Sequence, residues 1–130
     1  MGIRKLPRIG AMSETPAAAL SNPSLNKHVD FLSIGSNDLT QYTMAAGREN
    51  TLVTEYFIDD HPTILRLIEL VVEESGDTLV SLCGELAGRI DVIPRLLRTG
   101  IKSLSVAAAL VPDVKNAIRN SRSYRVGAAS

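Results

Sequence analysis

Cysteine is almost absent from this chain, in which Cys83 stands alone among 130 residues. A single cysteine cannot form an intrachain disulfide, so a reducing compartment is the simplest expectation. Long apolar runs are also missing, because no stretch approaches the roughly 20 residues of a membrane span and the N-terminus has no signal-peptide core. We therefore expect a cytoplasmic protein with no membrane partner.

Net charge is zero, but charge of the two signs is unevenly spread. Residues 1–85 hold 12 acidic and 6 basic side chains, whereas residues 86–130 hold 2 acidic and 8 basic ones. A basic segment can indicate nucleic-acid binding, but Tyr124 is its only aromatic residue and no groove-reading motif is visible. We therefore expect no nucleic-acid partner, and interpret the cations as solvated helix faces that form an anion-friendly surface.

The pattern along the chain predicts an α/β protein. Hydrophobic residues at 45% and charged residues at 22% are ordinary for a soluble protein, and the length allows one domain at most. A strand, a polar turn and a helix follow one another about four times, which predicts parallel strands joined by crossovers. The predicted strands are 8–12, 30–34, 78–82 and 103–106, and the clearest helices are 62–74, 90–98 and 112–120.

The start of one helix and two segments without a repeating hydrophobic pattern complete the prediction. Helix 62–74 should begin at Pro62 with Asp60 or His61 as its cap. Residues 45–59 have no helical or strand period, and we place this long loop over the ligand. Residues 1–120 form the predicted domain, and residues 121–130 form a tail that we expect to be mobile.

Polar residues follow three of the predicted strands at the point where each strand ends. Glu14 follows the first strand, Asn37 and Asp38 follow the second, and Cys83 with Gly84 follows the third. In α/β folds the carboxyl ends of the strands form the edge where ligands bind. We therefore expect a ligand site at this edge.

The carboxylates of Glu14 and Asp38 are candidate ligands for Mg²⁺, which prefers hard oxygen ligands. Spacing alone also allows Glu14 to form a salt bridge and Asp38 to cap a helix that begins near Leu39. Asn37 can donate its amide to a phosphate oxygen while its carbonyl accepts locally, although asparagine also suits an ordinary turn.

Three further residues are candidates for the same site. Arg48 could clamp a phosphate or carboxylate in bidentate fashion, or could be a lone surface arginine. Cys83 could act as an acid from a strand end, or be a small buried hydrophobe, and Gly84 would let the backbone approach a ligand. His28 and His61 are expected to be a surface residue and a helix-start residue, without a catalytic role.

Three sequence segments and one arginine resemble the C-terminal, phosphoenolpyruvate-binding barrel of the Enzyme I family of the bacterial sugar phosphotransferase system. The segments are 8–20, 31–43 and 83–88, the arginine is Arg48, and the resemblance covers about residues 8–120. Pyruvate phosphate dikinase and phosphoenolpyruvate synthase share these elements, but Tyr42-Thr43 and Leu86-Ala87-Gly88 are more similar to Enzyme I. Around Arg48 the sequence Ala-Gly-Arg-Glu-Asn departs from the family's Asp-Arg-Gly-Asn.

The resemblance implies the C-terminal half of a (β/α)8 TIM barrel, a fold whose complete form needs roughly 250 residues. It implies a phosphotransferase that moves a phosphoryl group from phosphoenolpyruvate to a histidine on a phosphocarrier domain and releases pyruvate. By the same resemblance Glu14 and Asp38 hold Mg²⁺, and Asn37 and Arg48 bind the substrate phosphate. Cys83 then protonates the methylene carbon of the enolate.

Two alternatives remain open. The chain could be part of a phosphoenolpyruvate synthase or a pyruvate phosphate dikinase, or it could be a non-catalytic module for dimerisation or regulation. Four parallel strands taken from a closed barrel leave two edges and an interior face uncovered, so we expect a homo-oligomer. We also expect this chain by itself to be inactive, because the family's arginines from the first half of the barrel are not in it.

Overall fold

The structure, a computed structural model, describes residues 5–127, with side chains described as far as Ser121. Four parallel strands form one sheet in chain order, which confirms the α/β prediction and agrees with half of a TIM barrel. The strands are β1 (Gly10–Ser13), β2 (Phe31–Gly35), β3 (Leu79–Cys83) and β4 (Ser103–Leu104).

Helices connect consecutive strands, as the crossover of a parallel pair requires. The helices are α1 (Pro16–Leu20), α2 (Asn22–Leu25), α3 (Ser36–Met44), α4 (Pro62–Glu74), α5 (Ile93–Arg98) and α6 (Val111–Gly127). Short 3-10 turns cover Asn26–His28, Thr54–Tyr56, Glu85–Gly88 and Ala108–Leu110. Among residues 5–127 no helix is both long enough and apolar enough to cross a membrane.

One face of the sheet carries the core. Side chains alternate between the two faces of a strand, so Leu32 and Ile34 of β2 lie on the same side as Val80 and Leu82 of β3. All four are buried, and they belong to one hydrophobic cluster with residues of the surrounding helices. The helical members of that cluster include Ile64, Ile68 and Val71 of α4 and Ile93 and Leu96 of α5.

The opposite face of the sheet is more exposed and more polar. We call it the open face and define it by Met12, Phe31, Ser33, Leu79 and Ser81, which alternate with the core residues. Phe31 and Leu79 are neighbours in register and are 36% and 57% exposed. In a complete barrel this would be the interior face, whereas here no described element covers it.

Several element ends differ from the sequence prediction. Strand β4 has two residues instead of four, because after Ser105 donates to the carbonyl of Leu82 the chain turns into a 3-10 segment. Helix α5 begins at Ile93 and not at residue 90, with Pro94 in its first turn. The cap of α4 is His61, whose Nδ1 accepts from the backbone N–H of Thr63 at 3.1 Å.

Helix α6 extends to Gly127, past the predicted end at residue 120. No proline or glycine interrupts residues 113–126, so nothing in the local sequence stops the helix earlier. Residues 121–127 of the predicted tail are therefore helical, and its last three residues lie outside the described part of the chain. The mobility of the tail and the domain boundary at residue 120 stay predictions.

Candidate functional site

The carboxyl ends of β1, β2 and β3 lie level with one another. Ser13 pairs with Ile34, and Gly35 pairs with Cys83, so the residues that follow each strand emerge at one edge of the sheet. This register brings Glu14, Asn37, Asp38, Cys83 and Gly84 to one region, as the spacing predicted. The convergence of the three polar segments is therefore a feature of the fold.

The carboxyl groups of Glu14 and Asp38 lie close enough to interact electrostatically. Burial raises the pKa of the Glu14 carboxyl, and the neighbouring Asp38 raises it further. Two carboxylates in contact repel each other unless a proton or a cation lies between them. The pair is therefore a suitable donor set for a hard divalent cation such as Mg²⁺.

Gly35, at the end of β2, makes room for Glu14. A Cβ atom at position 35 would lie 3.1 Å from Oε2 of Glu14 and 3.0 Å from Sδ of Met12. Within residues 5–127 no group of three or more His, Cys, Asp or Glu side chains converges as a metal cluster. The protein thus offers two carboxylates, which suits a Mg²⁺ ion that keeps several waters and takes substrate oxygens as further ligands.

Asp38 lies in the first turn of α3, whose cap position is occupied by Gly35. Asp38 therefore does not cap a helix beginning near Leu39, the alternative that its spacing allowed, because the helix begins at Ser36, directly after β2. The exposed carboxylate of Asp38 is stabilised by the positive end of the helix dipole.

The side chain of Asn37 is held by the loop that follows β3. Its Oδ1 accepts a hydrogen bond from the backbone N–H of Glu85 at 3.2 Å. Only the oxygen of an amide can accept from an N–H group, so the orientation of the Asn37 amide is fixed by this contact. The two donors on Nδ2 remain for another partner, and none is recorded among the described residues.

Gly84 has a conformation and an environment that require glycine. Its φ of 100° and ψ of −179° lie in a region that other residues almost never adopt. A Cβ atom there would lie 2.2 Å from Oγ of the buried Ser36 and 3.2 Å from Oδ1 of Asn37. The loop after β3 therefore packs directly against the start of α3.

The thiol of Cys83 lies between two polar atoms of β2. It accepts from the hydroxyl of Ser33 at 3.6 Å and donates to the carbonyl of Ile34 at 3.4 Å. The hydroxyl of Ser81 in turn donates to that of Ser33 at 3.4 Å. Cys83 is half-buried, at the upper end of the open face, and not enclosed in the apolar core.

Arg48 forms an ion pair with Glu85, through Nη1 and Oε1. The two side chains are 43% and 66% exposed. The backbone carbonyl of Arg48 accepts from the hydroxyl of Thr54 at 3.4 Å, which closes the loop around it. Arg48 is therefore connected to Asn37 through one residue, Glu85.

A second set of ion pairs holds the far end of the Arg48 loop. Arg89 pairs with Asp59, Asp60 and Asp91, and Arg95 pairs with Asp60 at 2.5 Å. The hydrogen bond from Arg95 lowers the pKa of the Asp60 carboxyl, and the charge of Arg89 adds to that effect. These arginines were expected to be solvated cations. The structure shows instead that Arg89, which precedes α5, and Arg95, which lies in α5, hold the segment that precedes α4.

Sequence reasoning overlooked Ser33, Ser36 and the partners of Arg48 and Arg89. The alternation of β2 places Ser33 on the open face, but its contact with Cys83 depends on the register between β2 and β3. No motif gives that register.

His61 is occupied as the cap of α4, and His28 is an exposed residue at the end of a 3-10 turn.

The chain matches the family described as PEP-utilising enzyme, PEP-binding domain, over residues 1–123, and belongs to it. It is 46% identical over 116 residues to the phosphoenolpyruvate-protein phosphotransferase of Haloferax volcanii, a match that covers 88% of this chain and 20% of the relative. The protein of the same name from Haemophilus influenzae is 43% identical over 115 residues, or 87% of this chain and 20% of that relative.

A probable phosphoenolpyruvate synthase of Methanocaldococcus jannaschii is 38% identical over 112 residues, which cover 84% of this chain and 9% of that relative. The chain thus spans about a fifth of the length of the phosphotransferases it matches, and less of the synthase. The chain is therefore similar to enzymes of both kinds.

Proposed function

We propose that this chain is the site-bearing half of the phosphoenolpyruvate-binding barrel of a phosphotransferase of the Enzyme I type. In this proposal the full-length protein transfers a phosphoryl group from phosphoenolpyruvate to a histidine on a phosphocarrier domain and releases pyruvate, in the cytoplasm and in the service of sugar transport. The observation that carries the proposal is the contact between Glu14 and Asp38, beside Asn37, at the carboxyl ends of β1 and β2.

Glu14 and Asp38 would hold Mg²⁺. A bound Mg²⁺ would neutralise oxygens of the substrate phosphate and keep it in one place. Burial is the largest cause of the raised pKa of the Glu14 carboxyl, and the nearby Asp38 adds to it. Because the electrostatic conflict between the two groups is relieved by positive charge, the pair favours a cation over an empty site.

Asn37 and Arg48 would position the phosphate. The Nδ2 donors of Asn37 and the unused donors of the Arg48 guanidinium can hydrogen-bond its oxygens, and Gly84 lets the backbone after β3 come close. Phosphoryl transfer depends mostly on orientation and charge stabilisation, so such contacts are what the reaction needs. The P–O bond to the enolate oxygen breaks as the bond to the histidine nitrogen forms.

Cys83 would complete the reaction on carbon. The enolate that leaves the phosphate takes a proton at its methylene carbon and becomes pyruvate, and the thiol of Cys83 is the proposed donor. Its half-buried position at the upper end of the open face, with hydroxyl contacts, supports this role over that of a core residue. The thiolate would then recover its proton from solvent.

The test is the formation of phosphohistidine from phosphoenolpyruvate by the full-length protein with Mg²⁺. We expect Asp38→Ala to abolish the transfer and to leave the melting temperature close to that of the wild type, because Asp38 is an exposed residue of a helix start. Ordinary transfer by Asp38→Ala would sink the metal assignment. A reaction that requires ATP or inorganic phosphate would instead indicate phosphoenolpyruvate synthase or pyruvate phosphate dikinase. The chain is similar to a probable phosphoenolpyruvate synthase.

A further inference from the structure

We propose that Glu85 is a positioning residue, which sets the orientation of both Asn37 and Arg48 toward the phosphate. This inference rests on the proposed function of those two residues. Glu85 itself follows Gly84 in the loop after β3, and none of the roles proposed above is assigned to it. Two separate groups of Glu85 make the contacts: its backbone N–H with Asn37, and its carboxylate with Arg48.

The backbone contact orients Asn37. The N–H of Glu85 donates to Oδ1 of Asn37 at 3.2 Å, so a flip of the amide would bring an N–H group against the NH₂ group and break the hydrogen bond. Gly84 keeps this loop where it is, because its backbone lies against the buried Ser36 and leaves no room for a Cβ atom. The donors of Asn37 are thereby presented in one fixed direction.

The carboxylate contact orients Arg48. Oε1 of Glu85 pairs with Nη1, one of the nitrogens at the end of a planar guanidinium. Because the five donors of that group lie in a rigid fork, holding one nitrogen restricts the direction of all the others. Arg48 lies in the long segment between α3 and α4, ahead of the 3-10 turn Thr54–Tyr56, and its side chain is 43% exposed.

An acidic residue beside a phosphate site is by itself unfavourable, since its charge repels the anion. The carboxylate of Glu85 can help only through Arg48, and this gives the proposal a signature that a simple surface ion pair lacks. With Arg48 present, loss of the carboxylate should weaken phosphoenolpyruvate binding. With Arg48 already replaced, loss of the same carboxylate should leave binding unchanged or strengthen it.

The experiment measures the Kd of phosphoenolpyruvate by titration calorimetry at saturating Mg²⁺ in the full-length protein. The variants are Glu85→Ala, Glu85→Gln, Arg48→Ala and the double variant with alanine at both positions. We expect Glu85→Ala to weaken binding about 3- to 5-fold, the range of an exposed ion pair, and Glu85→Gln to weaken it less because it keeps a hydrogen bond. The double variant should bind no more weakly than Arg48→Ala.

The matched control is Glu49→Ala, which removes an exposed carboxylate next to Arg48 in sequence, for which no ion pair with Arg48 is recorded. We expect Glu49→Ala to bind phosphoenolpyruvate as tightly as the wild type or more tightly. If Glu85→Ala binds phosphoenolpyruvate as tightly as the wild type, or more tightly, while Arg48 is present, the inference is overturned and the proposed function stays intact. The same holds if removal of the Glu85 carboxylate weakens binding equally with and without Arg48. Failure of the wild type to bind phosphoenolpyruvate with Mg²⁺ overturns both.

Discussion

Glu14 and Asp38, which follow neighbouring strands, bring their carboxyl groups close enough to interact electrostatically. Burial is the largest cause of the raised pKa of the Glu14 carboxyl, and the neighbouring Asp38 raises it further. The contact is the structural basis of the proposed cation site.

Replacement of Cys83 should separate binding from turnover. In the full-length protein we expect Cys83→Ala to bind phosphoenolpyruvate normally, because the proposed metal and phosphate ligands do not include the thiol. Pyruvate release should fall by about 10²- to 10⁴-fold, the usual worth of a general acid. Near-normal pyruvate release together with a lower melting temperature would show that Cys83 is a structural residue.

Substitution of Gly84 should be far more costly than substitution of a glycine with free space. Gly84→Ala must adopt a φ of 100° and place its Cβ 2.2 Å from the hydroxyl of Ser36. We expect Gly84→Ala to lower the free energy of unfolding, measured with urea, by about 2 to 3 kcal/mol. We also expect it to lose phosphoenolpyruvate binding. Gly76→Ala is the control, because Gly76 has a φ of 55° and nothing within 4 Å, and should lose about 1 kcal/mol. Equal losses would contradict the packing described around Gly84.

The ion pair between Asp60 and Arg95 should make the free energy of unfolding depend on pH. Because the folded state lowers the pKa of Asp60, the pair stabilises the protein above the carboxyl's ordinary pKa. That contribution is lost as the pH falls through the lowered, folded-state value. We expect Asp60→Asn to be less stable by about 0.5 to 1 kcal/mol at neutral pH, with a shallower decline below about pH 4.

Urea unfolding of the wild type and Asp60→Asn across that pH range measures the effect. The difference in unfolding free energy should shrink toward zero in acid. A difference that stays constant with pH would show that Asp60 contributes through packing or hydrogen bonding and not through its charge.

The open face should make the 130-residue chain self-associate when it is produced alone. Phe31 and Leu79 are apolar and exposed there, and β1 and β4 are strand edges without a partner among the described residues. We expect light scattering to show a dimer or larger species, and Leu79→Ser to weaken the association. Leu52→Ser should not weaken it, because Leu52 is 84% exposed but lies in a loop. A stable monomer at high concentration would contradict this account.

The sequence was sufficient to predict the sheet and the meeting of its polar strand ends. Parallel strands of similar length end at one edge, so a polar residue after each strand is enough to place Glu14 and Asp38 in the same region. Helix 62–74 could be predicted as well, because its apolar residues recur at regular helical spacing.

The contacts made by irregular segments could not be predicted in this way. Arg48 meets Glu85 because of the path of a loop without period, and Arg89 meets Asp59 across two such segments. The extent of α6 was also missed, since residues after 120 carry no apolar period, although the helix includes them as far as Gly127. These features depend on tertiary packing, which no local pattern records.

The most direct test of the central claim is the titration of the full-length protein with phosphoenolpyruvate in the presence and absence of Mg²⁺. The wild type should bind only with Mg²⁺, and Asp38→Asn should lose that dependence and bind at least tenfold more weakly, or about 1.4 kcal/mol. Asp113→Asn removes an exposed carboxylate from the first turn of another helix, α6, and should bind as the wild type does. Binding that is indifferent to Mg²⁺, or equal in the two variants, would contradict a cation site at Glu14 and Asp38.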